Sequence, residues 1–445
     1  MREATAWKGI VHGQLRESAL EIVFQIAERL RTPERAEEIA RQASDQQSGL
    51  PFKRRWAPYD ASYGNAALAL FFGQLDRSCP DQQWDEVAHV YLSSAARSLE
   101  TVSMNHFASG LFGGLSGTCL VARSLSRKGE RYRRLVSTLD SVLIQQTIGV
   151  LNQFDANSDG VRFMDYDLIV GPVGIGAYFL SCHGAADADE VLHAILDRLI
   201  LLSETRNGQL RFFIPPELQA TERHREQYPY GATDCGMAHG VPGPLALLAL
   251  AALHGIKRPG LDDAIRTLVT WLLTHRYADP WGITWPYAIP PDGIPLPYEG
   301  SSRAAWCYGS PGVAAALWHA GCALRDQSVK DIAIEAMHAV RIRPIETRGI
   351  PSPILCHGVA GLLQITMRFA NYTCQESFVG MANELTRELV DLFEPTSLAG
   401  FRDLDPEGRK VDNPGLLDGA TGVALALLAA ATDAEPIWDR MFLLS

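Results

Sequence analysis

Long apolar runs recur along the chain and alternate with amphipathic segments. The runs at 244–255, 313–324 and 423–434 are dominated by alanine, leucine and valine, and they are rich in good helix formers. A helix that is apolar nearly all round belongs inside a shell of other helices. The segments at 18–32 and 262–276 are amphipathic and would form that shell. The pattern therefore predicts buried helices covered by partly exposed ones.

A Gly-x-x-Gly motif precedes the apolar runs. The six copies are GLSG at 114–117, GPVG at 171–174, GVPG at 240–243, GSPG at 309–312, GVAG at 358–361 and GATG at 419–422. A seventh, degenerate copy begins at Gly64, where Ala67 replaces the second glycine. Counted from position 67, the second positions are 49 to 69 residues apart, which fits one helical hairpin per copy. About seven such hairpins favour a closed ring over an open solenoid.

The glycines themselves are expected to begin the buried helices. Without a Cβ atom they permit tight turns and close backbone approach, although a packing role alone is the alternative for most copies. Stretches with strand character at 209–215 and 282–290 lie in the two longest intervals and are predicted to be loops or small hairpins. No linker rich in Pro, Gly or Ser divides the chain. We therefore predict one domain over residues 1–445, although a length of 445 residues alone suggests about three.

Composition and charge exclude several classes of protein. With 47% hydrophobic and 20% charged residues the chain is expected to fold, and its net charge of −11 without a long basic run disfavours nucleic acid as a partner. The longest nearly apolar stretch, 241–253, is shorter than the roughly 20 residues of a spanning helix. Charges interrupt the amino-terminal segment, so a cytoplasmic location is expected. Eight widely spaced cysteines without a CxxC pair disfavour a disulfide scaffold.

Potential zinc ligands lie in the turns that lead into three apolar helices. His239 precedes one, Cys307 another, and Cys356 with His357 the third. If these turns meet at one end of a ring, Cys307, Cys356 and His357 could bind one Zn²⁺. Two thiolates and an imidazole leave one open coordination position, as in catalytic zinc sites. For each cysteine alone, the alternative is a small buried hydrophobic residue.

An open zinc position beside two thiolates suits the binding of another thiol. The metal would lower the pKa of that thiol until it is deprotonated. The anionic ligands would leave the bound thiolate electron-rich, whereas a Lewis-acid hydrolase would usually use harder ligands. The expected nucleophile is therefore a sulfur atom of the substrate.

His239 and Asp167 are candidates for acid–base chemistry. His239 is not needed for the metal set, and an unperturbed histidine titrates near neutral pH. Asp167 stands four residues before Gly171 and would orient an imidazole in the same cavity. The alternatives are a structural histidine for His239, and a helix cap or solvated acid for Asp167.

Three further candidates surround Cys307. Arg303 precedes it by four residues and could pair with a carboxylate or stabilise an enolate, with a surface role as the alternative. Trp306 and Tyr308 flank the cysteine directly, and for both of them simple packing is the alternative.

These motifs in combination resemble the lanthionine synthetase C family, the LanC-type lanthipeptide cyclases. The resemblance covers nearly the whole chain and depends on RAAWCYG at 303–309, CHGVAG at 356–361, GMAHGVPG at 236–243 and YDLIVGPVG at 166–174. It implies an all-α fold, an α/α toroid of seven inner and seven outer helices with one zinc ion per chain. It implies Cys307, Cys356 and His357 as zinc ligands, His239 as the catalytic histidine, Asp167 as its partner, and Arg303, Trp306 and Tyr308 as further active-site residues.

The resemblance also implies a reaction. A separate dehydratase converts Ser or Thr of a precursor peptide into dehydroalanine or dehydrobutyrine, and a zinc-bound peptide cysteine then adds to the β-carbon to form a thioether ring. His239 would protonate the α-carbon, with Asp167 positioning it and Arg303 stabilising the enolate. The implied partners are a dehydrated precursor peptide with its leader, a dehydratase and an exporter, so peripheral association with a membrane complex is an alternative to a purely cytoplasmic protein.

Some features depart from the family, and other functions stay open. The first repeat lacks its second glycine, no inserted β-rich domain is identified, and the leader-binding site is unassigned. The chain lacks a dehydratase-like or kinase-like region, which predicts a standalone enzyme.

The first alternative function is addition of a small thiol such as glutathione to dehydroamino acids. The second is a prenyltransferase-type barrel, which would need a basic pocket for a diphosphate. The third is a non-catalytic peptide-binding subunit of a biosynthetic complex, although such a subunit would need no acid–base pair.

Overall fold

The chain is mostly helical in the computed structural model. The structure describes residues 6–46, 56–80, 82–100, 109–154, 160–206, 208–297, 302–405 and 407–445. Two compact units are present, the first formed by 1–104, 112–138 and 350–439, and the second by 105–111, 139–349 and 440–445. The prediction of a single domain over 1–445 stays a prediction.

Helices account for most of the described residues, and the strands are two or three residues long. The α-helices are α1 (Gly13–Arg29), α2 (Pro33–Gln46), α3 (Asn65–Ser78), α4 (Trp84–Leu99), α5 (Leu115–Ser124), α6 (Arg133–Asn152), α7 (Pro172–Leu180), α8 (Ala186–Leu202), α9 (Glu222–Gln227), α10 (Pro242–Leu253), α11 (Leu261–Thr274), α12 (Ser310–Leu324), α13 (Gln327–Ile342), α14 (Val359–Thr373), α15 (Glu376–Asp391) and α16 (Ala420–Ala431). The strands are β1 (Thr205–Arg206), β2 (Gln209–Leu210), β3 (Thr233–Asp234), β4 (Tyr277–Asp279), β5 (Gly282–Thr284), β6 (Ala288–Ile289), β7 (Arg402–Leu404) and β8 (Lys410–Asp412). The prediction of a helical protein with minor β-hairpins is confirmed.

The described strands form four antiparallel pairs: β1 with β2, β3 with β6, β4 with β5 and β7 with β8. Both stretches with strand character therefore contribute to small pairs, as the sequence predicts. The β7–β8 hairpin was missed, although its turn carries a readable signal. The N–H group of Gly408, a glycine at φ +78°, donates to the carbonyl oxygen of Asp405 over 2.8 Å.

Seven of the described helices are buried nearly all round, and each follows one copy of the glycine motif. These helices are α3, α5, α7, α10, α12, α14 and α16. Six of them begin directly after the first glycine of the motif, and α10 begins two residues after Gly240. The degenerate copy at Gly64 also begins a helix. The predicted number of buried helices is confirmed.

Seven other described helices, α1, α4, α6, α8, α11, α13 and α15, expose one face. In α11 the buried positions include Leu261, Ile265, Leu268 and Leu272, which recur at helical spacing. Within the second unit α10 packs against α7, α11 and α12, and within the first unit α16 packs against α1, α3 and α14. Each unit therefore contains buried helices covered by amphipathic ones. No helix in the described ranges is both long and apolar enough to cross a bilayer.

The second glycine of the motif is required by a close backbone contact. A Cβ atom placed on Gly361 would lie 1.9 Å from the carbonyl oxygen of Leu355, and one on Gly174 would lie 2.2 Å from that of Leu168. Both oxygens belong to the residue six positions earlier, so the chain turns back onto the first turn of the helix. This contact confirms the expected close approach. The turns before these two helices carry candidate site residues, Asp167 before α7 and Cys356 with His357 before α14.

Candidate functional site

The structure brings His239 and Asp167 together in the second unit. Nδ1 of His239 lies 2.6 Å from Oδ2 of Asp167. The other oxygen, Oδ1, accepts hydrogen bonds from the backbone N–H groups of Val170, over 3.0 Å, and Gly171, over 2.6 Å. A carboxylate fixed in this way accepts the Nδ1 hydrogen, which leaves Nε2 of His239 as the nitrogen that can exchange a proton. Asp167 therefore holds the backbone turn that leads into α7 and orients the imidazole at the same time.

The imidazole of His239 is accessible although its partner is buried. Its side chain is 36% exposed, whereas that of Asp167 is 0% exposed. Phe163 contacts the imidazole edge to face, with ring centroids 5.5 Å apart, and the hydroxyl of Tyr166 donates to the carbonyl oxygen of His239 over 2.7 Å. The ring is thus held from several sides but can still meet a molecule from outside. This arrangement suits a general acid or base.

A second carboxyl group, that of Asp234, lies in the turn that carries His239. Its Oδ2 accepts a hydrogen bond from the hydroxyl of Tyr308 over 2.8 Å, and its Oδ1 accepts one from the N–H of Gly236 over 2.6 Å. Burial raises the pKa of Asp234 from 3.8 to about 6. The sequence analysis missed this residue, although Asp234 stands five positions before His239 in the same motif turn.

We expect Asp234→Asn to change stability in a pH-dependent way. Because the pKa of Asp234 is raised in the folded protein, its contribution to stability is complete below its unfolded value of 3.8 and is lost as pH rises through about 6. Asparagine at this position does not ionise, so the variant has no corresponding loss of stability as pH rises. The free energy of unfolding of Asp234→Asn relative to the unmodified protein should therefore rise by about 2 kcal/mol between about pH 4 and about pH 8. Urea unfolding at the two pH values measures the difference.

Asp85→Asn provides a control of opposite sign in the first unit. Hydrogen bonding to Arg131 lowers the pKa of Asp85, so the stabilisation from this carboxylate is present above its unfolded pKa and is lost as pH falls. Its asparagine variant should therefore lose relative stability as pH rises. A pH-independent difference for Asp234→Asn would contradict the raised pKa.

Cys356 and His357 lie in the turn before α14 in the first unit. The sulfur of Cys356 and a ring nitrogen of His357 lie within 4.8 Å of each other. The backbone N–H of Cys356 donates to the carbonyl oxygen of Leu417 over 2.8 Å, which fixes the turn. Both side chains are half-buried. Adjacent residues can offer donors to one ion only from irregular backbone, and this turn provides such a backbone.

Two carboxylates lie beside His357. Its Nδ1 is 3.6 Å from Oδ1 of the buried Asp418. Donor atoms of His357, Asp403 and Asp418 all lie within 4.8 Å of one another, and Asp403 also accepts a hydrogen bond from the hydroxyl of Ser352 over 2.7 Å. A carboxylate on the Nδ1 side would favour Nε2 of His357 as the nitrogen that binds a metal ion. The sequence analysis missed both acids, although Asp418 directly precedes a glycine motif.

Cys307 belongs to the second unit and is 6% exposed. Its carbonyl oxygen accepts a hydrogen bond from the N–H of Ala238 over 3.4 Å, and a Cβ atom on Gly236 would lie 2.7 Å from the same oxygen. The turn before α12 therefore packs against the turn that carries His239. Within this unit the structure places Cys307 and the His239–Asp167 pair in neighbouring turns.

The remaining sequence candidates differ in their surroundings. Trp306 is 1% exposed, and its indole N–H donates to the carbonyl oxygen of Phe442 over 3.0 Å. It packs inside the second unit, next to Cys307. Arg303 is exposed, and in the described residues its guanidinium forms no hydrogen bond or ion pair. The hydroxyl of Tyr308 is bonded to Asp234, and its ring centroid lies 6.4 Å from that of His239.

Buried helices that begin at glycine motifs, a Cys–His turn and a His–Asp pair together define a class of mainly helical proteins with candidate active-site residues at the helix starts. The chain belongs to the lanthionine synthetase C-like protein family, whose model matches residues 55–443. The family predicted from the sequence motifs is thereby confirmed.

Comparison with individual proteins agrees with this family. Over 347 residues the chain is 24% identical to the nisin biosynthesis protein NisC of Lactococcus lactis subsp. lactis, which covers 76% of this chain and 81% of that protein. Among solved structures it is similar to nisin cyclase, with a TM-score of 0.75 and 21% identity over 92% of this chain and 97% of that chain. The structural likeness confirms the predicted fold class, an α/α toroid.

Proposed function

We propose that the protein is a zinc-dependent lanthipeptide cyclase. It would form lanthionine and methyllanthionine rings by adding cysteine thiolates of a dehydrated precursor peptide to dehydroalanine or dehydrobutyrine in the same peptide. Family membership and the likeness to NisC support a cyclase. The observation that carries the chemistry is the accessible imidazole of His239 on the buried carboxylate of Asp167.

Cys307, Cys356 and His357 are proposed to hold one zinc ion per chain. The donor types fit zinc, because thiolate and imidazole are its preferred ligands. The separation of at most 4.8 Å between the Cys356 sulfur and a His357 nitrogen is close to the roughly 3.5 Å between ligands of one tetrahedral zinc, so a small side-chain movement suffices. When bound, the ion would lower the pKa of a peptide thiol and make it a nucleophile at neutral pH.

The chain's own residues would carry the proton. As the thiolate adds to the β-carbon, electrons move onto the α-carbon and its carbonyl oxygen, and protonated His239 donates from Nε2 to the α-carbon. Asp167 stabilises the imidazolium and keeps the hydrogen on Nδ1. Arg303, whose guanidinium is exposed, would stabilise charge on the enolate oxygen. Trp306 would act indirectly by holding the position of Cys307.

The proposed partners follow from this reaction. The substrate is a precursor peptide with its leader, already dehydrated by a separate dehydratase, and an exporter would act on the product. A cytoplasmic protein, associated peripherally with a membrane-bound biosynthetic complex, is the corresponding location.

A synthetic peptide with one dehydroalanine and one downstream cysteine tests the function. Because ring closure is an internal addition, the product has the mass of the substrate but no thiol, so N-ethylmaleimide no longer alkylates it. With glutathione present, a peptide heavier by one glutathione would favour the small-thiol enzyme instead. A peptide whose thiol and dehydroalanine both persist beside the zinc-loaded protein would contradict catalysis and favour a binding subunit.

Asp418 is expected to support the proposed zinc site. We predict that Asp418→Asn weakens zinc binding by about 10- to 100-fold, because the amide removes a negative charge beside Nδ1 of His357. Competition with a chelator measures the affinity. Asp391→Asn, at an exposed position on α15, is the matched control and should bind zinc as the unmodified protein does. Unchanged affinity in Asp418→Asn would exclude this supporting role.

A further inference from the structure

Asp234 occupies a fixed position between the turn of His239 and the side chain of Tyr308. Its carbonyl oxygen accepts a hydrogen bond from the N–H of Val241 over 3.0 Å, and its backbone pairs with Ala288 across the β3–β6 sheet. Oδ1 accepts a hydrogen bond from the N–H of Gly236. Only Oδ2 of this carboxylate is directed at Tyr308.

The ring of Tyr308 contacts two other aromatic side chains, with centroids 5.5 Å from Tyr287 and 6.4 Å from His239. The contact that Asp234 adds is at the hydroxyl group. This contact sets the direction of the hydroxyl hydrogen, since a phenol hydroxyl has one hydrogen and a carboxylate can only accept it. With a pKa of about 6, the carboxyl group is mainly ionised at pH 8.

We propose that Asp234 is a positioning residue that accepts the hydrogen bond of the Tyr308 hydroxyl. The oxygen of Tyr308 then presents only a hydrogen-bond acceptor to the space beside His239. This inference rests on the proposed cyclase function. The acceptor suits the peptide N–H next to the α-carbon that His239 protonates. Holding that N–H would orient the α-carbon toward Nε2 of the imidazole.

Asp234→Asn reverses this hydrogen bond without changing the shape of the side chain. Its Oδ1 still accepts from Gly236, so Nδ2 takes the place of Oδ2 and donates to the oxygen of Tyr308. The hydroxyl hydrogen must then point elsewhere. We expect kcat for ring closure of the dehydroalanine–cysteine peptide to fall at least about tenfold, with KM and zinc content nearly unchanged and no fall in Tm at pH 8.

A double-mutant cycle separates this role from a structural one. Tyr308→Phe alone should also lower kcat, and adding Asp234→Asn to Tyr308→Phe should cause no further loss, because Asp234 acts through the hydroxyl. The matched control is Asp140→Asn. Asp140 accepts a hydrogen bond from Tyr178 in the same unit but lies outside the proposed machinery, so kcat should stay within about twofold.

Two results would overturn the inference while leaving the cyclase function intact. The first is full kcat in Asp234→Asn, which would show that the direction of the Tyr308 hydrogen does not matter. The second is independent, multiplicative losses in the double variant. If the unmodified, zinc-loaded protein leaves the peptide thiol reactive, the proposed function itself is contradicted, and this role with it.

Discussion

Replacing His239 is expected to lower the rate of ring closure by about 10²- to 10⁴-fold without loss of zinc. The side chain of His239 is 36% exposed, and its Nδ1 lies 2.6 Å from the buried carboxylate of Asp167, so the proton is expected to leave from Nε2. Alanine at this position would also leave a buried carboxylate oxygen without its donor, which costs stability by itself. His239→Asn is the sharper variant, because its amide N–H can donate to Asp167 but cannot supply a proton near neutral pH.

The rate is measured as the loss of alkylatable peptide thiol, with zinc content and Tm determined in parallel. His254→Ala is the matched control, since His254 is an exposed histidine at the end of α10 in the same unit. It should keep the rate of the unmodified protein. A rate for His239→Asn within a few-fold of the unmodified protein would mean that the proton comes from another group. Zinc loss in His239→Asn equal to that in Cys356→Ala would contradict the separate roles given to the two residues.

The fold could be predicted because its main constraint is local. A glycine is needed wherever the first turn of a buried helix meets a carbonyl oxygen six residues earlier, as Gly361 meets Leu355. The same contact, with the carbonyl oxygen six residues earlier, recurs at Gly174, Gly243, Gly312 and Gly422, so it leaves a repeated motif in the sequence, although the copy at Gly64 has Ala67 at this position. The same turns carry the candidate site residues. The proximity of His239 and Asp167 could therefore be expected from their places relative to the glycines, whereas their catalytic roles stay a prediction.

Asp234 and Asp418 could not be found in the same way. A single carboxylate in a sequence is compatible with a cap, an ion pair or a solvated surface, and its role depends on what tertiary packing brings near it. Asp234 meets Tyr308, and Asp418 meets His357, in each case from a different motif turn. Trp306 is the opposite case. Its position next to Cys307 in the sequence suggests an active-site residue, but in the structure its indole N–H donates a hydrogen bond to the carbonyl oxygen of Phe442.

Cys307→Ala and Cys356→Ala should each lower the zinc content from about one ion per chain to less than about a tenth of that, and abolish ring closure. Removing one of three protein ligands leaves two, which do not hold zinc against competing buffer and protein ligands, and the loss of a thiolate also removes negative charge from the site. Inductively coupled plasma mass spectrometry of protein purified under reducing conditions measures the metal.

Cys79→Ala and Cys322→Ala are matched controls in the first and second units. Burial raises the pKa of both thiols, which disfavours the thiolate that a metal requires, so their variants should keep zinc and activity. Zinc retained in Cys307→Ala but lost in Cys356→Ala would confine the metal to the first unit. Such a result would remove the second thiolate from the proposed site, and with it the argument that an electron-rich zinc centre activates the thiol of the peptide.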